Sequence, residues 1–441
     1  MPRPLRITSG LFFFPRGGSS HLARSLCRSL AALGDRVTLA AGSLGDPGGR
    51  SHARTFFAGI DVEPVDYGPG SGIPFQPSYE ERPDAPDPVF ASVPDEPYER
   101  LVGAWAEALA RAGAAEADVL HLHHLTPIHE AAARRFDDRP VVAELHGTEL
   151  GMLREIEGGA PWAHAAAWAE RMRRWASASR SLLVAPGIAG EAASRLGLPG
   201  DRFVELPGGV DLDLFDRRPV RGDQRLAFWR RWLVEEPQGW DESGVPGSIR
   251  YDDRDLEPIA RGLPVVLFVG RYTEVKRIPL LLRAHARAQA AAGTPVPLVL
   301  VGGHPGEWEG EHPARVAGPG VLLAGWHAHD ALADAINAAD LVVLPSRSEA
   351  FGLVLAEAMA CGVPVVATAA QGPSRIVDDG ETGWLVAVDD EGALAVALAE
   401  AVADEQERER RGRLAYERAR ARYGEAAVAA RVHETLAQAT T

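Results

Sequence analysis

A single lysine, Lys276, occurs among the 46 lysine and arginine residues of the chain, so every other cationic side chain is an arginine. Arginine replaces lysine easily on a solvated surface. One retained lysine therefore indicates a position that needs a compact ammonium group, which is a common ligand for phosphate. Chance retention of one lysine explains the composition equally well until the neighbouring residues are considered.

Those neighbours favour a phosphate site. Residues 263–270 form a short apolar, β-branched run that ends in glycine, which predicts a buried parallel strand. Arg271 and Lys276 follow the carboxyl end of this strand. Because open α/β sheets bind their ligands at that edge, we predict that Arg271 and Lys276 contact phosphate.

Two glutamates, Glu349 and Glu357, form the second group of residues suited to chemistry. They lie after a predicted strand at residues 341–344 and on either side of a predicted helix start near Gly352. At about 1.5 Å of rise per helical residue, the carboxylates can stand on the order of 10 Å apart, enough to flank a diphosphate joined to two sugars. Carboxylates there would accept hydrogen bonds from hydroxyl groups.

The helix start itself is suited to binding an anion. The first amides of a helix are unpaired and lie at the positive end of its dipole, so the backbone of three residues is predicted to bind a diphosphate: Phe351, Gly352 and Leu353. The glutamate spacing alone is typical of solvated helices. The preceding strand, the glycine and the apolar helix face together favour a binding site.

Length and charge restrict the class of protein. A chain of 441 residues exceeds the size of one core and predicts two domains, and a net charge of −15 excludes a general nucleic-acid binder. The two cysteines, Cys27 and Cys361, are typical of a reducing compartment. The apolar run at residues 11–14 is too short for a signal-peptide core and no stretch is long enough to span a membrane, so we expect a cytoplasmic protein.

Predicted strands alternate with helices in both halves of the chain. They are predicted at residues 5–9, 36–40, 119–123, 140–145, 181–185 and 203–206, and then at 264–269, 297–301, 321–324, 341–344, 363–368 and 384–386. This alternation indicates an α/β fold with two doubly wound domains. Two irregular segments interrupt it. Residues 216–262 contain three tryptophans and are expected to form a packed insertion at the domain junction, and residues 67–97 either cover a cleft or form a solvated loop.

These motifs together resemble those of the retaining glycosyltransferases of family 4, which have the GT-B fold. The glutamate pair resembles the paired-glutamate motif of that family, and Arg271 with Lys276 resembles its diphosphate-binding pair. Residues 206–215 resemble the segment leading into the family's hinge, where asparagine is commoner than Gly208. Residues 380–386 match a late turn of its second domain, and the resemblance covers essentially the whole chain.

The resemblance implies two Rossmann-like domains that face each other across a cleft. The expected divisions are an acceptor-side domain at 1–215, the junction insertion at 216–262, a nucleotide-sugar-binding domain at 263–420, and a helix at 421–441 that packs back on the first domain. It also implies transfer of a hexose-type unit from a nucleoside-diphosphate sugar to an acceptor hydroxyl, with the anomeric configuration retained. No cofactor or metal is expected, because fixed cations and amides stabilise the departing diphosphate.

Roles carried over from the family fall on matching positions of this chain. Glu357 is expected to bind the ribose hydroxyls and Glu349 those of the donor sugar, while Arg271 and Lys276 bind phosphate. The turn between the first strand and first helix would approach the donor through two glycines, Gly17 and Gly18.

The acceptor site is expected in the first half of the chain. The resemblance places His146 beside the transferred sugar, and Glu149 is our candidate for binding the acceptor hydroxyl or removing its proton, with a helix-capping carboxylate as the alternative. The acceptor-binding set is predicted to be Arg16, His124, His146 and Glu149, and the catalytic set His146, Glu149, Glu349, Arg271 and Lys276. A metal site at the histidines is disfavoured, because alternation along the strand points His124 away from His121 and His123.

Other functions remain open at this point. A nucleotide-sugar epimerase or hydrolase of the same architecture would share the phosphate site and need no acceptor. A non-catalytic sugar-nucleotide-binding protein would keep the fold. The acceptor is expected to be a small molecule or glycan, because the basic stretch at residues 171–175 is more typical of a solvated helix face than of a membrane contact. The oligomeric state, the nucleotide and the sugar are not indicated.

Overall fold

A computed structural model describes residues 3–15, 18–49, 51–68, 70–71, 73, 76–79 and 87–441. The chain divides into two compact units. The N-terminal unit comprises Met1–Gly209 with Glu425–Thr441, and the C-terminal unit comprises Val210–Gly424. The chain thus leaves the first unit, builds the second and returns.

The N-terminal unit contains a seven-stranded parallel sheet with strand order β3-β2-β1-β4-β5-β6-β7. Its strands are β1 Arg6–Leu11, β2 Arg36–Ser43, β3 Asp61–Asp66, β4 Val119–His123, β5 Val141–Glu144, β6 Ser181–Val184 and β7 Phe203–Glu205. The order reverses between β1 and β4, and this switch point is where doubly wound sheets bind ligands.

The C-terminal unit contains a six-stranded parallel sheet with strand order β10-β9-β8-β11-β12-β13. Its strands are β8 Val266–Gly270, β9 Leu298–Gly302, β10 Val321–Gly325, β11 Leu341–Leu344, β12 Val365–Thr368 and β13 Gly383–Val386. The switch point here lies between β8 and β11. The two predicted Rossmann-like sheets are confirmed.

Helices cover both sheets. They are α1 Gly18–Ala32, α2 Ala53–Phe56, α3 Asp95–Arg111, α4 Pro127–Arg135, α5 Thr148–Glu157, α6 Ala165–Ala178, α7 Ala189–Leu196, α8 Gly222–Arg230, α9 Glu257–Ala260, α10 Ile278–Ala292, α11 Pro313–Val316, α12 His329–Asn337, α13 Leu353–Ala360, α14 Pro373–Ile376, α15 Glu391–Ala403, α16 Glu405–Arg422 and α17 Glu425–Ala439. Among the described residues, no helix is both long enough and apolar enough to cross a membrane.

Sequence patterns missed one strand, β3. Its sequence, Asp-Val-Glu-Pro-Val-Asp, alternates charged and apolar residues and contains Pro64. Proline has no backbone N–H group to donate to a neighbouring strand. Within sheets it therefore occurs mainly on edge strands, where that position can face solvent. The structure places β3 at the edge of the sheet, paired only with β2, so the charged residues of this strand remain near solvent.

The last helix, α17, packs on the N-terminal unit. Its apolar side chains Val432 and Leu436 join a buried cluster with Ile7 of β1 and Val119 of β4. His433 adds a polar contact, because its Nδ1 lies 2.8 Å from Asp35 Oδ2. Burial of this apolar face explains how the chain terminus is fixed on the first sheet.

Residues 216–262 belong entirely to the C-terminal unit. They supply α8, a five-residue π-helix at Arg231–Glu235, and α9. Trp229 and Trp240 are fully buried and donate to the carbonyls of Ala338 and Gly303, both at 3.2 Å. The segment is therefore packed within the C-terminal unit, and the division between the two compact units falls between Gly209 and Val210.

The other irregular segment, residues 67–97, is only partly described. Tyr79 and Phe90 are buried, with ring centroids 5.0 Å apart, and Phe90 stacks on Trp168 of α6 at 4.7 Å. Its described part therefore contributes to the core of the N-terminal unit.

Candidate functional site

The C-terminal switch point brings together residues from the two loops that follow β8 and β11. Lys276 ends a 3-10 turn at Glu274–Lys276, and Glu349 lies between β11 and α13. Lys276 Nζ contacts Glu349 Oε2, and Ser346 Oγ lies 3.4 Å from the same oxygen. The two side chains are 22% and 19% exposed, so a ligand can reach both. The sequence predicted both residues, but it did not predict that they touch.

The turn before α13 depends on glycine. Gly352 is the N-cap of α13 and has φ 91°, a left-handed conformation that disfavours other residues. Phe351 packs against the backbone of Gly372, where an added Cβ would lie 2.4 Å from the Phe351 carbonyl oxygen. The backbone amides of Phe351 and Gly352, which precede the helix, donate no hydrogen bond to any backbone carbonyl of the described residues. These amides, with that of Leu353 at the helix start, are suited to bind an anion.

Glu357 lies on the inner side of α13 and is 4% exposed in its side chain. Its Oε1 lies 2.6 Å from His329 Nε2, at the first residue of α12. His329 was not among the residues predicted from the sequence, because its partner lies on another helix. The only available signal was its position at a helix start just beyond the carboxyl end of β10. We name Lys276, Glu349, Glu357 and His329 the lysine-glutamate site.

Arg271 directly follows β8 and is exposed. Among the described residues it forms no hydrogen bond or ion pair, whereas the nearby Arg277 and Arg347 both contact Asp389, at 2.5 and 2.9 Å. Of the three arginines, Arg271 is thus the one whose guanidinium is free to bind an anion.

The N-terminal switch point carries three further predicted residues: His124, His146 and Glu149. We name them the histidine site. His124 directly follows β4 and has φ 63°, and its Nδ1 lies 2.7 Å from Glu149 Oε1. Glu149 Oε2 also accepts from the backbone amide of His146, at 3.2 Å. Glu149, in the first turn of α5, thereby connects the residues that follow β4 and β5.

Glu149 is buried and already hydrogen-bonded. Its side chain is 0% exposed and its oxygens are used by His124 and the His146 amide. Burial favours a raised pKa for Glu149, but the contact with His124 lowers the pKa overall. The carboxylate therefore remains ionised and positions the two histidines, which is close to the capping alternative.

His146 is partly buried, and its Nε2 lies 3.1 Å from His123 Nδ1. Burial lowers the pKa of His146 to about 4, so the ring is neutral near pH 7. A neutral imidazole can either donate a hydrogen bond to a hydroxyl group or accept one from it, and it adds no charge to the site. His124 lies against it, with ring centroids 4.3 Å apart.

Two further predicted residues, Arg16 and Gly17, lie outside the described residues. Gly18 begins α1, and a Cβ built on it would meet nothing within 4 Å. The space around Gly18 is therefore open.

Two family models match this chain. The model described as Glycosyltransferase Family 4 matches residues 16–214, and the model described as Glycosyl transferases group 1 matches residues 250–418. The two matches contain the histidine site and the lysine-glutamate site respectively. The chain belongs to the family 4 glycosyltransferases.

Relatives agree with this assignment. The chain is 30% identical over 308 residues to a protein named D-inositol 3-phosphate glycosyltransferase 1 from Catenulispora acidiphila. That match covers 65% of this chain and 64% of the relative, which is less than two thirds of its length.

Solved structures confirm the GT-B fold. Sucrose-phosphate synthase from Thermosynechococcus elongatus superposes with a TM-score of 0.68 at 22% identity, covering 98% of both chains. HepE from Anabaena, solved with UDP and glucose, superposes with a TM-score of 0.67 at 18% identity, covering 98% of this chain and 100% of the other. At such identities the likeness concerns the fold.

Proposed function

We propose that this protein is a retaining glycosyltransferase that moves a hexose-type sugar from a nucleoside-diphosphate sugar to an acceptor hydroxyl, without a metal ion on the diphosphate. The contact between Lys276 and Glu349, beside the start of α13, is the observation that carries this proposal. It unites a cation for phosphate, a carboxylate for hydroxyl groups and unpaired amides in one place.

The chemistry of the leaving group supports this assignment. Breaking the bond between the anomeric carbon and the phosphate oxygen leaves negative charge on the diphosphate. Lys276, Arg271 and the amides of Phe351 and Gly352 supply fixed positive charge and hydrogen-bond donors there, which is the usual way a protein stabilises a developing anion. Once the donor is bound and Lys276 has turned to the phosphate, these groups need no further reorganisation when the charge appears.

The two glutamates recognise the sugars on either side of the diphosphate in this proposal. Glu357 is held by His329 through Oε1, which leaves Oε2 for a ribose hydroxyl. Glu349 would accept hydrogen bonds from the transferred sugar while Lys276 moves towards phosphate. A hydroxyl bound to a carboxylate contributes about 1.5–3 kcal/mol.

The acceptor is assigned to the N-terminal unit. His124 and His146 are proposed to bind its hydroxyl or the transferred sugar, and Glu149 to hold both histidines in place. Arg16 stays a candidate acceptor ligand, and Gly17 and Gly18 stay candidate donor contacts. The acceptor is a small molecule or glycan. A phosphorylated cyclitol is the first to test, because a relative carries inositol 3-phosphate in its name.

The unique lysine gives a direct test of donor binding. An amine-reactive reagent can modify Lys276 and the α-amine, and the chain has no other lysine. Thermal shifts with UDP, GDP, ADP and dTDP sugars would first select a donor, because a ligand that binds only the folded protein raises its stability. The selected donor should then protect Lys276 and leave the α-amine equally reactive. Full activity after complete modification of Lys276 would contradict the proposal.

Product analysis separates transfer from the alternatives. Donor incubated alone should remain unchanged, and donor with acceptor should give a glycoside whose anomeric configuration, read by NMR, matches the donor. Free sugar or an epimer formed without acceptor would instead support a hydrolase or epimerase. Binding without any product across an acceptor panel would support a non-catalytic protein.

A further inference from the structure

A second cluster of polar side chains lies on β4 and β5, next to the histidine site, and has no role in the proposed reaction. His121 and His123 lie two residues apart on β4 and therefore point to the same face of the sheet. Glu144 is the last residue of β5 and is the register partner of His123. The adjacent parallel strand thus places a carboxylate beside the two imidazoles. We name His121, His123 and Glu144 the buried triad.

The atoms of the buried triad are close together but poorly satisfied. Glu144 Oε2 lies 3.0 Å from His121 Nε2 and 3.4 Å from His123 Nδ1. Neither contact meets the angles of a hydrogen bond, so Nε2 of both histidines and Oε2 of Glu144 have no hydrogen-bond partner among the described residues. The histidine side chains are only 1% and 0% exposed. Buried polar atoms without partners cost folding free energy, so something else is expected to satisfy them.

We propose that His121, His123 and Glu144 bind a divalent first-row transition metal ion, with Zn²⁺ as the best match. One nitrogen from each histidine and one carboxylate oxygen lie within 4.8 Å of one another. Zn²⁺ bonds of about 2.0–2.2 Å in a tetrahedron place ligand atoms roughly 3.3–3.6 Å apart, which small side-chain rotations would reach. Two imidazoles and one carboxylate are a recurrent zinc ligand set, with a fourth position left for water.

The contact with His146 supports the same assignment. A metal-bound imidazole is commonly oriented through its second ring nitrogen. His123 has such a contact, because its Nδ1 lies 3.1 Å from His146 Nε2. A metal ion here would fix the carboxyl ends of β4 and β5 and hold the ring of His146. Its role is to position residues, and the phosphate chemistry assigned to the C-terminal unit does not depend on it.

Metal binding can be measured without substrate. Tag-free protein, stripped with chelator and dialysed, should take up about one equivalent of Zn²⁺ per chain by elemental analysis, and its melting temperature should rise as the metal binds. Co²⁺ in place of Zn²⁺ should give the visible absorption of a four- or five-coordinate site. Failure of the wild-type protein to bind either metal stoichiometrically would overturn the proposal.

Matched variants locate the metal. Glu144→Gln and His121→Gln keep side-chain volume and should each weaken Co²⁺ affinity by more than about 100-fold, beyond the usual effect of losing an outer-shell partner. His129→Gln is the control, because His129 is also buried in the N-terminal unit but lies on α4 and outside the triad. Circular dichroism checks the fold of each variant. Unchanged Co²⁺ affinity in folded Glu144→Gln and His121→Gln would place the metal elsewhere and overturn the proposal.

Discussion

The switch points of the two sheets differ in charge and in exposure. At the C-terminal one, Lys276 and Glu349 are paired, ionisable and about one-fifth exposed. At the N-terminal one, Glu149 is fully buried, and burial holds the pKa of His146 at about 4 and that of His123 well below its usual range. The same topological position therefore carries a partly exposed ion pair in one unit and, in the other, neutral imidazoles packed around a buried carboxylate.

This difference fits the proposal that the C-terminal unit binds the nucleoside diphosphate and the N-terminal unit binds the acceptor. A nucleoside diphosphate carries negative charge and needs cations that it can reach, whereas an acceptor hydroxyl is neutral and needs oriented hydrogen-bonding groups. Glu149 contributes the orientation from inside the unit, through His124 and the backbone of His146. Changes at the lysine-glutamate site should therefore affect catalysis and donor binding, and changes at Glu149 should affect stability.

Lys276→Met should have the largest effect. Removing one fixed donor from a developing anion commonly lowers kcat by about 100- to 1,000-fold, and Lys276 is also the partner of Glu349. Steady-state kinetics would measure the loss. Arg283→Met is a matched control, because Arg283 is an exposed cation on α10 that pairs with Glu391. A wild-type rate in Lys276→Met would remove the lysine from the mechanism.

The contact between Lys276 and Glu349 can be tested by a double-mutant cycle. Lys276→Met, Glu349→Gln and the double variant should be strongly non-additive, because each single change leaves the other charged group without its partner. Additive losses in kcat/KM would show that the two side chains act independently in the complex with donor.

Glu357→Gln should have an intermediate effect on donor affinity. Loss of a charged acceptor for a ribose hydroxyl, about 1.5–3 kcal/mol, corresponds to a Kd increase of roughly 10- to 150-fold. Isothermal titration calorimetry with the donor would measure it. Glu400→Gln serves as the control, since Glu400 is exposed on α15. An unchanged Kd would exclude Glu357 from the binding site.

Glu149→Gln should act mainly on stability. The amide keeps the shape of the side chain but weakens the contact with His124, and a buried charge-assisted hydrogen bond contributes about 1–3 kcal/mol. Urea unfolding would detect the loss, with Glu170→Gln on the exposed face of α6 as the control. A variant with full stability and no transfer would instead restore Glu149 as a group that acts on the acceptor.

The lysine-glutamate site was largely readable from the sequence because its members lie within short segments. Gly352 marked the helix start, the apolar run of β11 marked the strand before it, and local spacing placed Glu349 before the helix and Glu357 within it. His329 was missed because only tertiary packing of α12 against α13 brings it to Glu357.

The contacts in the N-terminal unit were harder to predict from the sequence, because they too join residues from different elements. Alternation correctly placed His121 and His123 on one face, but the third member of the triad, Glu144, comes from the next strand through a parallel register that no local pattern specifies. Edge strand β3 was missed because an edge strand tolerates charges and proline that a central strand excludes.

Addition of Mg²⁺ should leave the initial rate of sugar transfer unchanged, and this is the smallest of the expected effects. Mg²⁺ prefers oxygen ligands and usually binds through carboxylates together with substrate phosphates. At the lysine-glutamate site, the Glu349 carboxylate contacts Lys276 in the structure and is assigned to the hydroxyl groups of the sugar in the complex with donor, so in neither state is it left to bind a metal ion. Stripped protein, with Zn²⁺ restored so that the N-terminal triad is filled, should therefore transfer sugar at the same initial rate with or without Mg²⁺ or Mn²⁺. A rate that depends on either ion would contradict metal-free departure of the diphosphate, whereas dependence on Zn²⁺ alone would affect only the N-terminal unit.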